Sequence, residues 1–540
     1  MVKSVTPTKD IRVKNPWWVV APLLTMTAFS AGLFIPWMRR VDLGDHRLAV
    51  FCMINAAIWW VVLWWSIHHL GFRLSPLFIR PQPCKRDSSK TPALFAILYC
   101  TCDDFDWAAC QSCVQQDYAQ DDLHTVICDD SSDAAYRQMI DEFAQAYPSV
   151  RVVRRADRQG FKAGNLNHAI AAAVPDSVQW MVIADADQNL PYDYITRFSA
   201  IVACLPEHVA YVQGRNVSDH EFSLLSRHAT PFQRAMGHEI DMFYGYDLMW
   251  RTSAGFLPLI GHGAALRRSA WERVKFPEIV SEDFALSMEL RNQSLVGIYA
   301  DSVESWESFP ESFGAFVVRL RKFSGGTAQL YRVCLKRFLL GPSTFTEKLD
   351  LLMLIGWYAL MPWVVINGYL SAYICHQLWE RQVSALHPML PYVFVALFLA
   401  NLPALYSTAP TLLHAFQQWF WSSAIYGACM PIASIQFIRH LLGAKPRFDR
   451  TPKGGQAAPI GHATCVAMVF LGLLTLAFSV YWSSPFSPVL FGLGLSYISI
   501  PLYTQLHKSN IWGAIARLAV LLPGTAYVYA LWKMWSWQGI

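Results

Sequence analysis

Charge is the first scarcity in this 540-residue chain. Asp, Glu, Lys and Arg make up 15% of it, against about 25% in ordinary soluble domains. The net charge is only +5, which over this length gives no argument for a nucleic-acid partner. There is no internal repeat and no low-complexity tract, so neither a solenoid nor a largely disordered chain is in view. The apolar runs themselves are almost free of charge, which speaks against a transporter or channel with a bulky insert, where intramembrane charges should be frequent. The 12 cysteines are scattered rather than framed in pairs, and read as reduced thiols of a cytosolic or membrane-buried chain. Cys100, Cys102, Cys110 and Cys113 form a C-x-C…C-x-x-C group, but it spreads over a strand, a loop and a helix, and zinc is the weaker reading.

What is abundant is apolar sequence, 54% of the residues, gathered on both flanks of a water-compatible middle. Residues 1–91 carry Lys3, Lys9, Arg12 and Lys14 and then two candidate spans. These are Trp17 to Trp37, too long for a cleaved signal core, and Leu48 to Leu70, with Trp59, Trp60, Trp64 and Trp65 crowding its end. Arg73, Arg80, Lys85, Arg86 and Lys90 follow and outweigh Arg39, Arg40 and Arg47, so the middle of the chain is expected on the cytoplasmic side of an inner (plasma) membrane. Residues 92–312 alternate strand-like and helix-like segments, the pattern of a doubly wound α/β sheet. Residues 313–348 mix basic and apolar positions like an amphipathic helix at a membrane face. Two spans are expected in 349–410. An interface helix (His414 to Leu442) and a basic loop fall in 411–461. Three more spans occupy 462–540, near His462 to Trp482, Pro488 to Leu506 and Ala514 to Lys533. The total is seven spans, with the C-terminus outside.

Chemistry concentrates at predicted strand ends. Trp180 to Ala184 is a short apolar run without helical period, the mark of a strand buried in a parallel sheet. It stops at Asp185 and Asp187, two hard oxygen donors where open α/β sheets bind ligands, and suited to Mg²⁺ or Mn²⁺ carrying a phosphate. An Asp-x-Asp alone is more often a solvated turn. Four other pieces sit in comparable places. Thr101, Asp103 and Asp104 follow one strand, and Asp129 and Asp130 end another. Lys162 lies on a glycine-flanked turn. Glu282 and Asp283 open an amphipathic helix. Each could be a cap or a turn; their conjunction at the ends of one sheet points to a site.

In this order the motifs resemble the family 2, inverting glycosyltransferases of the GT-A fold, in particular the membrane-embedded processive synthases related to bacterial cellulose synthase. The family's D, D-x-D and T/S-E-D series is met by Asp130, by Asp185 and Asp187, and by Ser281-Glu282-Asp283. Arg319-Leu320-Arg321-Lys322-Phe323 stands where Q-x-x-R-W is expected. The stretches EIDMFYGYDLMW and GHGAALRRSAW follow the pattern around the acceptor pocket, and Pro446 to Gly454 is similar to the F-x-V-T-x-K-G gating loop, with Arg450 in place of valine. No PilZ-like segment follows.

The resemblance implies a general base at Asp283, with Glu282 beside it, and a metal pair at Asp185 and Asp187. Nucleotide contacts fall to Thr101, Asp104, Asp130 and Lys162, with diphosphate contacts from Arg319, Lys322, Thr451 and Lys453, and Phe323 stacks on the acceptor sugar. Lys322 lacks the planar fork of the arginine it replaces. The implied reaction moves a sugar, glucose from UDP-glucose being the family's commonest choice and N-acetylglucosamine its rival. It goes to a growing β-linked polysaccharide that is threaded through the membrane, with a lipid bilayer as partner and no nucleic acid. A non-processive relative that adds one sugar to a lipid-linked acceptor would share the same soluble domain.

Overall fold

The computed structural model describes residues 46–74, 92–218, 229–249, 251–381, 411–445, 451–452 and 460–538, with a few positions between 24 and 36. The first helix, α1 (His46–Leu74), is apolar and leads into the sheet domain. There β1 (Phe95–Thr101), α2 (Trp107–Val114), β2 (Leu123–Asp129), α3 (Ala134–Ala146), β3 (Val150–Arg154), α4 (Phe161–Ala173) and β4 (Trp180–Asp185) alternate as expected. Local chemistry sets the helix starts: Asp106 accepts from Ala109 N at 2.9 Å and Asp133 from Ala135 N at 2.8 Å, each capping orphan amides of its helix. At α4 the chain enters through Gly160 at φ 71°, a left-handed turn.

The second half is less regular: α5 (Tyr194–Val202), β5 (Val209–Ser218), α6 (Pro231–Met236), α7 (His238–Met242), β6 (Ala264–Arg267), α8 (Glu282–Asn292) and β7 (Val296–Glu307). The helix expected over Met236 to Trp250 is broken at Gly237 and continues from α7 into a π-type turn, Phe243–Leu248. The sheet runs β3-β2-β1-β4-β6-β5-β7. Its first four strands are parallel, whereas β6 lies antiparallel to both β4 and β5. The fold is of the α/β type expected, with a mixed rather than an all-parallel sheet. Every residue of β1 is buried, which is why it reads as one continuous apolar run with no alternation. The two faces of the sheet carry separate apolar cores, one around Leu98, Val126 and Ile183, the other around Ile97, Ile127 and Val182.

Beyond the sheet come α9 (Phe313–Val333), α10 (Leu335–Leu340), α11 (Phe345–Glu380), α12 (Leu412–Leu441), α13 (His462–Tyr481), α14 (Ser487–Ile498), α15 (Ile500–Tyr503), α16 (Ile511–Ala519) and α17 (Leu521–Gln538). Among the described residues four helical stretches are long and apolar enough to cross a membrane: His46–His69, Phe345–Glu380, His462–Tyr481 and Ile511–Trp537. The sheet domain lies in the chain between the first and second of these. The stretch expected as a span near Pro488 to Leu506 is instead two short helices, the first only 12 residues long. Pro501, in the first turn of the second, has no backbone N–H to continue the first helix's ladder. The expected spans Trp17 to Trp37 and Pro391 to Thr408 lie largely or wholly outside the described residues. The 30-residue α12 packs along α9, α11, α14 and α17, with Trp421, Ile425, Cys429 and Phe437 buried.

Two buried ionic contacts join the domain to the bundle. Asp350 of α11 accepts from Arg251 (Nε–Oδ2 3.0 Å), from Phe256 N at 2.8 Å, and meets His68 of α1 at 2.9 Å. Arg291, near the C-terminal end of α8, holds both oxygens of Glu347, at 2.8 and 3.1 Å, in the first turn of α11. The helix that begins with Glu282 and Asp283 is thereby clamped at its far end to a bundle helix.

Candidate active site

The carboxyl ends of β1, β2 and β4, the Gly261 turn and the start of α8 converge on one cavity of about 1730 Å³. It is larger than a pocket for one small ligand, typically about 300–1,000 Å³. Thr101, Asp104, Asp130, Lys162, Asp185, Asp187, Glu282, Asp283, Arg319, Lys322, Phe323 and Thr451 all line it. Lys453 lies outside the described residues.

Of the strand-end carboxylates, two are mainly structural. Asp103 accepts from Ser132 N at 2.6 Å and Asp133 N at 2.8 Å, pinning the loop after β2. Asp129 pairs with Arg154 and caps Ser131 N. Asp104 binds Thr101 Oγ1 at 3.0 Å and Cys102 N at 2.7 Å. Asp130 is gripped by both arms of Arg155, each at 2.7 Å. Arg155 was not singled out from sequence, and its place in a run of basic residues hid it.

Lys162 donates to Asp185 Oδ1 at 2.5 Å and to the Gly261 carbonyl oxygen at 2.9 Å. Burial alone would push its ammonium down, but the Asp185 carboxylate outweighs this and holds it above its ordinary value. Gly261 sits at φ 78°, and a Cβ there would come 2.9 Å from Asp283 Oδ2, so the turn accepts only glycine while the base stands so close.

Glu282 and Asp283 are both raised by burial, Glu282 further by the charge of Asp283. The two carboxyls share one buried place, and the proton is better held by Glu282, to whose rise the neighbouring charge adds. Asp283 Oδ1 accepts from Phe284 N at 2.8 Å, a bond that favours the ionised form.

His262 and Glu307, not singled out from the sequence, stand beside these, as do the expected Arg319, Lys322 and Phe323. His262 makes a very short contact with Glu307. Burial would lower the imidazole, but Glu307 first and then Asp185 raise it to about 9, so it is a cation in the cavity wall at neutral pH. Its signal in the sequence was its place in the GHGAALRRSAW stretch. Arg319 stacks over the rings of Phe309 and Phe323, at 5.1 and 5.2 Å, and Lys322 lies over Phe323 at 5.7 Å. Phe323 itself is 39% exposed, with its ring turned toward the cavity.

A zinc site is not formed by the cysteines. Cys110 and Cys113 are buried on the opposite face of the sheet from Cys100, and burial raises both thiols, Cys113 to about 12. The donor set for a hard divalent ion does fit at Asp185 and Asp187: two carboxylates one residue apart at the mouth of the cavity, the first already satisfying a cation.

Residues 180–406 match the family model described as glycosyl transferase family group 2. The matched stretch is less than half of the chain. The chain is 26% identical over 277 residues to beta-monoglucosyldiacylglycerol synthase of Synechocystis, covering 51% of this chain and 54% of that one. To the probable glucomannan 4-beta-mannosyltransferase 15 of Arabidopsis thaliana it is 24% identical over 226 residues, 40% of each chain. The matches thus span about half, or less, of these relatives' length. A solved mannosyltransferase from Pyrobaculum calidifontis, in complex with GDP-mannose and Mn²⁺, overlays with a TM-score of 0.45 at 17% identity, over 72% of this chain and 99% of that one.

Proposed function

We propose that this chain is an inverting hexosyltransferase of the inner membrane. In this reading it moves a sugar, glucose from UDP-glucose first among candidates, onto a β-linked glycan that grows into its own membrane bundle. The observation that carries the reading is the reach of the cavity. From the carboxylates of the sheet it continues past Phe323 to Trp59 of α1, Val364 and Gly368 of α11, Val489 and Leu493 of α14 and Leu531 of α17.

In this mechanism Asp283 takes the proton of the acceptor hydroxyl as its oxygen attacks the anomeric carbon, and the bond to the diphosphate oxygen breaks on the opposite face. Direct displacement needs no second carboxylate nucleophile. Thr101, Asp104 and Asp130 would orient the nucleoside, and Lys162, with Lys322 in support, would meet the charge that develops on the diphosphate. Asp185 and Asp187 would hold Mg²⁺ or Mn²⁺, whose contribution is to neutralise that leaving group. Phe323 would stack on the acceptor ring. The catalytic domain faces the cytoplasm, where nucleotide sugars are made.

A second reading is favoured by the cavity's far wall, where Val364, Val365, Val489, Leu493 and Leu531 are all apolar. There the acceptor is a membrane lipid that receives one sugar, as the name of the Synechocystis relative states for that protein. One experiment separates the two. Purified protein in detergent is given radiolabelled UDP- and GDP-hexoses, and the label is partitioned between solvent-extractable lipid and ethanol-insoluble polymer. Polymer supports the first reading, a single-sugar lipid the second, and no transfer from any donor contradicts both.

A further inference from the structure

One half-buried carboxylate in this cavity belongs to none of the roles above. Glu239, on α7, lines the cavity where the bundle helix α12 meets it. Its Oε2 accepts from the Tyr426 hydroxyl of α12 at 2.9 Å, while Oε1 is buried and has no partner among the described residues. Leaving a carboxylate oxygen buried without a donor costs free energy that a fold seldom carries without cause.

Tyr244, held by Asn216 at 2.8 Å, lies within electrostatic reach of both Asp283 and Arg319. Arg319 in turn is the cation that acts on Glu239, and Arg319 and Glu239 both act on Tyr358 of α11. Tyr244, Arg319, Glu239, Tyr358 and Tyr426 thus form one group in the cavity wall, the last two on bundle helices. Burial pushes its carboxyl up to about 7 against the pull of Arg319 and Tyr426. Arg319 therefore moderates the carboxylate's burial without removing it.

We propose that Glu239 and Tyr426 form a subsite that reads a hydroxyl of a sugar ring already in the acceptor. The inference rests on the hexosyltransferase reading above and narrows its acceptor class to molecules that already end in sugar. The donor that the unpartnered Oε1 calls for is a neutral hydroxyl. A second cation would crowd Arg319, and a phosphate would repel the carboxylate. The aromatic wall of Tyr244, Tyr358, Tyr426 and Trp419 is suited to the apolar faces of such a ring. The ring could belong to a free glycan or to a glycolipid; a bare lipid alcohol would leave Oε1 unmet.

The test uses the full-length protein with UDP-glucose, or the nucleotide sugar to which the donor panel responds. The acceptors are a β-linked gluco-oligosaccharide, a monoglucosyldiacylglycerol and diacylglycerol, in separate reactions. The wild type is expected to extend one of the two glycosylated acceptors and not diacylglycerol. Glu239→Gln should raise the acceptor KM about tenfold or more, as for loss of a charge-assisted hydrogen bond, with UDP affinity by calorimetry unchanged. Glu239→Asp, which keeps the charge but shortens its reach, should shift KM in the same direction and guards against a folding effect of the amide. Unchanged acceptor KM in both variants would overturn the subsite, as would a wild type that uses diacylglycerol alone. No transfer to any acceptor would overturn the hexosyltransferase reading itself.

Discussion

Lys162 and Asp185 are joined by a 2.5 Å ion pair, and the same ammonium donates to the Gly261 carbonyl oxygen. One side chain thus ties the start of α4 to the end of β4 and to the turn that abuts Asp283. The pair also places a protein cation on the carboxylate assigned to the metal. Lys162→Met should therefore act in two opposite directions: weaker UDP binding, by about tenfold or more, and tighter Mn²⁺ binding in the absence of nucleotide. Calorimetry with UDP and electron paramagnetic resonance of Mn²⁺ read the two separately. Equal Mn²⁺ affinity in the two proteins would show that the lysine does not compete for Asp185.

Metal dependence is expected at the same strand end. Asp187→Ala should abolish transfer with the fold intact, and EDTA should do so reversibly, with activity restored by Mg²⁺ or Mn²⁺. Full turnover in EDTA would contradict the assignment of Asp185 and Asp187.

Asp283→Asn keeps the size of the side chain and removes its basicity, so turnover should fall at least about a hundredfold while UDP still binds. The raised carboxyl also carries a stability sign. Because the folded state holds this proton more tightly than the unfolded chain, stability contributed at Asp283 is full below the ordinary value of 3.8 and is lost as pH rises through the folded-state value. The Asn variant lacks that slope, and should melt at or above the wild-type temperature at neutral pH. A clear drop in melting temperature would mean that the ionised Asp283 is held by partners that outweigh its burial.

Much of this was legible in the sequence because strand ends announce themselves. Short continuous apolar runs such as Trp180 to Ala184 read as strands buried on both faces, and the carboxylates that stop them lie at the strands' carboxyl ends. Seven pieces far apart in sequence, from Thr101 to Thr451, do line one cavity. What pattern alone could not supply was partnership. Asp103 and Asp129 look like Asp104 and Asp130 in the sequence, yet the first two spend their oxygens on loop amides and Arg154. Glu239 and His262 lie in the EIDMFYGYDLMW and GHGAALRRSAW stretches but are not marked out within them, and Glu307 carries no motif; tertiary packing brings all three to the site. The short helices of 487–503 were hidden for a related reason, since hydropathy measures apolar length and does not register the break at Pro501.

The contact between domain and bundle should be costly to break. Asp350 is fully buried with Arg251 and His68, and its replacement by Ala leaves Arg251 buried without its counter-ion. Loss of about 3–5 kcal/mol is expected, read as a fall of several degrees in the thermal unfolding midpoint in detergent, whereas Arg337→Ala at the exposed pair with Glu289 should change it little. Equal effects of the two variants would show that Asp350 is not an anchor.

The most direct test of the account is the stereochemistry of the sugar delivered by the purified protein. Given a nucleotide sugar with an α-linked hexose, the product isolated after radiolabel transfer and examined by nuclear magnetic resonance should carry that hexose in β linkage, and its formation should vanish in Asp283→Asn. An α-linked product, or β-linked product made undiminished by the Asn variant, would contradict direct displacement assisted by Asp283.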